Sequence, residues 1–279
     1  MKTLQDKTTV ITGAGSGIGR AIAHALAEAG SMIVVSDIRI NAAEQVAKEV
    51  RELGAKAIAI ETDVSDHASV KQLADAAYGE FNTVDILCNN AGVSWRPFRT
   101  ILEATMSDWQ FLFGVNFWGV VHGLDVFLPR MRLQSGEKHI VNTASIAALV
   151  PLAGHLPYSA SKAAVVSISE AAAEELAPEG FGVTILCPGF VNTNITQNGD
   201  SLRPVEQRST SRTFTPYDNP LLKSLAMTAM DPKDVGLMVR QAILDSTLFL
   251  HTQPLPAEIV ARRTATLFGG AAQAAHSVT

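Results

Sequence analysis

The stretch Thr8 to Asp37, TTVITGAGSGIGRAIAHALAEAGSMIVVSD, decides the fold. Its β-branched opening, Thr8 to Thr12, predicts a strand, and the apolar run Met32 to Asp37 predicts a second. Between them, Gly17 to Ala29 carries a helical pattern. The connecting turn, TGAGSGIG from Thr12 to Gly19, has glycines at 13, 15, 17 and 19, which let the backbone turn tightly. Set between a strand and a helix, such a turn brings Ser16, Ile18 and their N–H groups, with the positive end of the helix dipole, against a phosphate. The spacing departs from a plain G-x-G-x-x-G, so the strand-to-helix setting carries the dinucleotide reading, and a merely structural turn is the alternative. Asp37 ends the second strand, where a carboxylate would accept hydrogen bonds from adenosine ribose hydroxyls; the other reading is a turn or capping aspartate.

Outward from this unit, apolar runs alternate with helical patterns. Further strands are expected at Ala57 to Glu61, Val84 to Cys88, His139 to Ala144, Val183 to Cys187 and Leu248 to His251. Further helices are expected at Asn41 to Leu53, Asp66 to Tyr78, Thr105 to Leu133, Pro157 to Ala177 and Asp231 to Ser246. This is an α/β pattern, one parallel sheet covered by helices on both faces. No repeat or linker divides the chain, so residues 1–268 read as one domain and 269–279 as a flexible tail. From Asn192 to Met230 the alternation lapses, which predicts a lid carrying Phe214, Tyr217, Leu221, Leu222, Leu225, Met227 and Met230.

The 279 residues are 47% hydrophobic and 18% charged, with a net charge of −5. That balance argues against nucleic acid or an anionic membrane as the main partner and favours a small molecule. Cys88 and Cys187 each close an apolar run and read as buried strand residues, which fits a reducing cytoplasm. No apolar run approaches membrane-helix length and the first residues lack a signal-peptide core, so the expectation is a soluble cytoplasmic protein.

The chemistry gathers in SIAALVPLAGHLPYSASK, Ser145 to Lys162. Tyr158 and Lys162 lie four apart, on one face of a helix and about one turn from each other. A lysine ammonium there favours the phenolate and makes tyrosine a usable acid or base, while Ser145 can hold a substrate oxygen. An exposed Tyr-x-x-x-Lys pair is the bland reading. Asp63 and Val64 follow the third strand and NNAG, Asn89 to Gly92, follows the fourth, at strand ends where ligands bind in open parallel sheets. Asn116, within an apolar helix pattern, is either a satisfied core group or a placed catalytic one.

Together TGAGSGIG, Asp63, NNAG, Asn116, Ser145, YSASK and PGFVNT (Pro188 to Thr193) come in the order and spacing that resemble the short-chain dehydrogenase/reductase family, over residues 7 to 250. The resemblance implies a Rossmann-type, doubly wound, seven-stranded parallel sheet and a nicotinamide cofactor. It makes Asn116, Ser145, Tyr158 and Lys162 a catalytic tetrad, with Tyr158 as general acid/base, Ser145 orienting the substrate oxygen, Lys162 holding the nicotinamide ribose and Asn116 anchoring a relay water. It implies that Gly13, Ser16, Gly17, Ile18 and Gly19 wrap the pyrophosphate, Asp63 and Val64 flank the adenine, and Asn90, Ala91 and Gly92 line the groove. It places Pro188, Val191 and Thr193 at the nicotinamide.

The reading that follows is an NAD-dependent oxidoreductase of hydrophobic or aromatic secondary alcohols and ketones, with NADP disfavoured by Asp37 and no metal. Ser94, Trp95, Ile146, His155 and Phe190, with Ser145, are expected to wall the substrate. Relatives built through two long helices imply a homotetramer or homodimer. The competing classes are a lyase or epimerase using transient oxidation and a cofactor-binding regulator without turnover.

Overall fold

The computed structural model describes residues 1–95, 98–150, 152–203, 228–255 and 257–276. Seven strands, β1 Thr8–Thr12, β2 Met32–Asp37, β3 Ala57–Glu61, β4 Ile86–Asn89, β5 Lys138–Thr143, β6 Phe181–Cys187 and β7 Phe249–His251, form one sheet in the order β3-β2-β1-β4-β5-β6-β7. Every neighbouring pair is parallel. Both sheet faces are covered, which is why the central strands read as unbroken apolar runs rather than alternating ones. On one face α1 Gly17–Ala27, α2 Ile40–Glu52 and α9 Pro232–Asp245 bury Ile22, Leu26, Val46 and Val239 against Ile11, Ile33 and Cys88. On the other, α3 His67–Phe81 and α5 Gly119–Arg132 bury Val70, Leu73, Phe127 and Met131 against Val10, Val34 and Ile140.

Local chemistry sets the ends of these helices. Asp66 caps α3 by accepting from Ala68 N, and Asp231 caps α9 by accepting from Lys233 N at 2.8 Å. At their far ends Asn82 and Ser246 take left-handed backbone, φ 65° and 53°. Strand order reverses between β1 and β4, and the carboxyl ends of the strands open there into a cleft.

The structure moves some expected boundaries. β4 starts at Ile86 because the Gln134 side chain takes both Val84 backbone groups, Oε1 accepting from N at 3.1 Å and Nε2 donating to O at 2.9 Å. The expected single helix 105–133 is α4 Met106–Phe113, a π turn Gly114–Trp118 and then α5. By length and composition the stretch 106–132 is apolar enough to cross a membrane, contrary to the expectation that no run reaches that length; in this fold it packs along the sheet. α6 Ile146–Leu149, α7 Leu156–Leu176, α8 Ile195–Leu202 and α10 Ala257–His276 complete the set, and α10 carries helix through most of the segment expected to be a flexible tail. Of the expected lid, 192–203 and 228–230 are seen, pinned at the base by a parallel bridge between Val191 and Met230. Phe214, Tyr217, Leu221, Leu222, Leu225 and Met227 lie outside the described residues.

Candidate active site

The glycine turn is built for close approach. Gly13 has φ 64°, and a Cβ there would lie 2.7 Å from Ala91 Cα, so only glycine lets β1 and β4 meet at this point. Thr12 Oγ1 accepts from Asn90 N (3.0 Å) and Ala91 N (3.1 Å), while Asn90 Nδ2 donates back to Thr12 O at 3.0 Å. Ser16 precedes α1 without capping it through its side chain, so the first N–H groups of the helix are left for an anion. Asp37 Oδ2 accepts from Gly15 N at 2.9 Å and Oδ1 from Arg39 N at 3.0 Å. Asp63 Oδ1 accepts from Ser65 N and Oγ, fixing the turn that presents Val64. All of this suits a dinucleotide: glycines for backbone contact, uncapped N–H groups for pyrophosphate and a carboxylate for a ribose.

Asn116 sits in the π turn and is fully buried. Its Oδ1 accepts from Val93 N at 2.8 Å, and its Nδ2 donates to Val93 O at 3.0 Å and Ser161 Oγ at 3.1 Å. The inserted residue of a π turn swings one side chain out of helical register, and here it aims Asn116 at the segment after β4. A Cβ on Gly92 would lie 3.2 Å from Asn116 Oδ1 and 3.3 Å from Lys162 Nζ, which shows how closely those two side chains converge.

Ser145 stands at the end of β5 and caps α6, accepting from Ala147 N at 3.1 Å. It lines the same cleft as Tyr158, on the first turn of α7. One turn further, Lys162 Nζ donates to Thr143 O at 2.8 Å. Burial pushes the Tyr158 hydroxyl above its ordinary pKa, with the Ser145 hydroxyl pulling the other way, and burial lowers Lys162 to about 8. The sequence argument has the ammonium favouring the phenolate. In the fold Lys162 is turned to the Thr143 carbonyl and desolvation dominates at Tyr158, so the net direction is upward.

A cleft of about 550 Å³ runs past all of these groups. Gly13, Ser16, Gly17, Ile18 and Gly19 line it with Asp37, Asp63 and Val64, and so do Asn90, Ala91 and Gly92. Ser145, Tyr158 and Lys162 lie along it, as do Pro188, Val191 and Thr193. Ser94, Ile146, His155 and Phe190 line the end beyond Tyr158. Trp95 departs from expectation. It is fully buried in a cluster with Val93, Leu112 and Tyr158, under the Arg99 guanidinium, and so supports the wall from behind. Asn116 likewise stands behind the lining rather than in it.

The sequence matches the family model for short chain dehydrogenases over residues 7–203. The chain belongs to that family. The 1-deoxy-11-beta-hydroxypentalenate dehydrogenase of Streptomyces avermitilis is 37% identical over 194 residues, 70% of this chain and 72% of that one. The C alpha-dehydrogenase of a Sphingobium species is 31% identical over 257 residues, 91% of this chain and 83% of that one. A Burkholderia phymatum short chain dehydrogenase/reductase, solved in complex with NAD, superposes with a TM-score of 0.87 at 35% identity, covering 96% of this chain and 97% of that one. Membership makes the protein an oxidoreductase with a Rossmann-type fold and a nicotinamide-cofactor groove.

Several groups shape this short-chain dehydrogenase cleft through contacts that the sequence does not show. Thr12 and Thr143 act through bonds to residues far along the chain. α8 contributes Asn198 and Leu202 to the lining. Asn198 Oδ1 accepts from Arg39 Nη1 at 3.2 Å, and its Nδ2 reaches Ser16 Oγ at 3.5 Å. The segment ITQNGDSL is polar and contains glycine, so no apolar periodicity marks it as a helix.

Proposed function

We propose that this chain is an NAD-preferring dehydrogenase/reductase of hydrophobic or aromatic secondary alcohols and ketones, with Tyr158 as its general acid/base. The observation that carries this reading is Ser145, Tyr158 and, one turn on, Lys162, all three on the wall of one cleft. When bound, the nicotinamide supplies the hydride acceptor or donor. Ser145 and Tyr158 hold the substrate oxygen between them. In oxidation Tyr158 takes the hydroxyl proton; in reduction it returns a proton to the carbonyl oxygen. The upward direction of its pKa keeps it a phenol at neutral pH, the form reduction needs. Lys162, lowered only to about 8, is mostly a cation at neutral pH and binds the ribose end of the cofactor. Asn116, fixed on Val93 and Ser161, holds the π turn through which a relay water is anchored.

Asp37 supports NAD. A carboxylate beside the ribose repels a 2′-phosphate, and Arg39 Nε stands 3.6 Å from Asp37 Oδ1, where the carboxylate occupies it. NAD in the Burkholderia structure is consistent with this choice. Beyond Tyr158 the cleft is mostly apolar, with Phe98, Phe111, Ile146, Leu152 and Phe190 around few polar groups, which fits a hydrophobic or aromatic substrate. α8 is a lid over that end. The long helices α4, α5 and α7 form the faces through which subunits pair.

Steady-state kinetics with both cofactors and a panel of aromatic secondary alcohols is the test. The expected result is a higher kcat/KM with NAD; a higher value with NADP overturns the cofactor preference, and a best substrate that is small and highly charged overturns the substrate class.

A further inference from the structure

Two polar side chains in the substrate end of the cleft have no part in the proton transfer just described. Ser94 and His155 are both more than nine-tenths buried, and both line the cleft. The His155 ring lies parallel on the Tyr158 ring, centroids 4.5 Å apart and planes 19° apart, and Phe98 meets it edge-on at 4.9 Å. Held in that plane, His155 places Nε2 3.4 Å from Ser94 Oγ. This is a long bond for a pair whose preferred separation is about 2.9 Å. Among the described residues His155 is the one hydrogen-bond partner of Ser94 Oγ. With Nε2–H as donor, the serine oxygen accepts and its own proton remains to be donated. A buried hydroxyl with one long bond, in a wall otherwise formed by Val93, Phe98 and Leu152, gains from any better partner that enters.

We infer that Ser94, oriented by His155, is a second substrate anchor that donates to an acceptor oxygen on the carbon next to the reacting one. The inference rests on the proposed function and narrows its substrate class. The preferred ketones and secondary alcohols carry an ether, hydroxyl or carbonyl oxygen beside the reacting centre. Position follows from the stack: His155 is one helical turn before Tyr158 and face to face with it, so an oxygen held at this couple belongs to the adjacent carbon rather than to the far end of the molecule.

The test compares two ketones of equal shape, α-methoxyacetophenone and butyrophenone, which differ by an ether oxygen in place of a methylene. Each is reduced with NADH by the wild type, Ser94→Ala and His155→Phe. The wild type should favour the methoxy ketone in kcat/KM by about fivefold to tenfold, the effect of one neutral hydrogen bond. That ratio should fall to about one in Ser94→Ala and in His155→Phe, which keeps a ring on Tyr158 but loses the ring nitrogens. Because each ratio is taken within one enzyme, a general loss of activity does not disturb it. If the wild type turns over both ketones equally, or the preference survives in Ser94→Ala, the anchor is overturned and the dehydrogenase reading stands. If the wild type reduces neither ketone with NADH or NADPH, both are overturned.

Discussion

The Lys162 ammonium is fully buried, and burial lowers its pKa from an ordinary 10.5 to about 8. Between those values the unfolded chain holds a proton that the folded chain has released, so this group makes stability rise with pH across that window. Below it the full penalty stands, on the order of 3 kcal/mol. Removing the amine also leaves Thr143 O without its 2.8 Å bond, which costs about 1–2 kcal/mol. Lys162→Met is therefore expected to be inactive yet more stable than the wild type at neutral pH by about 1 kcal/mol, with the advantage fading as pH approaches the ordinary lysine value. Urea denaturation at several pH values measures this, and a variant less stable at neutral pH contradicts it. At this scale the sequence was informative wherever a role depends on local spacing. Tyr158 and Lys162 share a helix face, and Gly13 to Gly19 share one turn. It misled at Trp95, because whether an aromatic after β4 faces the cleft or the core depends on packing with Leu112, Tyr158 and Arg99, which its local sequence does not reveal.

At the scale of elements, α8 is fastened across the cleft at its middle and at its C-terminal end. Asn198 ties it to Ser16 and Arg39 on the cofactor side, and Gly199 approaches so closely that a Cβ would lie 2.7 Å from Ser94 O. At its C-terminal end Arg203 donates to Asp108 Oδ1, the oxygen that also accepts from Arg99 at 2.7 Å. Burial opposes ionisation of Asp108, but the Thr105 N–H, the Arg203 guanidinium and the Thr105 hydroxyl outweigh it and hold the pKa at about 2. Among the described residues, two guanidinium groups thus converge on the Asp108 carboxylate. Arg203→Met removes the link to α8 while leaving Arg99 and Asp108 paired. The expected outcome is little change in the global unfolding midpoint, faster hydrogen exchange in 195–203 by about tenfold or more, and a raised KM for substrate. Unchanged exchange in α8 contradicts the fastening. Neither α8 nor the π turn was legible, for the same reason. The π turn exists because Asn116 bonds to Val93, 23 residues away, and α8 is held by partners that sequence proximity does not reveal. β1 to β3, by contrast, match their expected limits because each is a β-rich run bounded by turn residues.

At the scale of the whole molecule, the alternation of strands and helices was enough to foresee a seven-stranded parallel sheet, since parallel neighbours need crossover helices. Subunit pairing is a different matter, because an exposed apolar side chain is common on monomers too. The surface of the 106–132 stretch nonetheless exposes Trp118 by 49% and Met106 by 72%, with the Phe117 ring meeting Trp118 edge-on and Phe113 at a tilt. If these faces pair subunits, sedimentation should show a dimer or tetramer for the wild type and a smaller species for Trp118→Glu, which puts a charge into the contact. A monomeric wild type contradicts the pairing.

The central claim is that Tyr158 transfers the proton while hydride passes between substrate and cofactor. The most direct measurement follows reduced nicotinamide by its near-ultraviolet absorbance as NAD and an aromatic secondary alcohol are mixed with the wild type and with Tyr158→Phe, alongside a titration of cofactor binding. The account predicts reduced cofactor with the wild type and a loss in kcat of roughly 10² or more in Tyr158→Phe, with NAD still bound. A Tyr158→Phe enzyme that keeps near-normal kcat at every pH contradicts it.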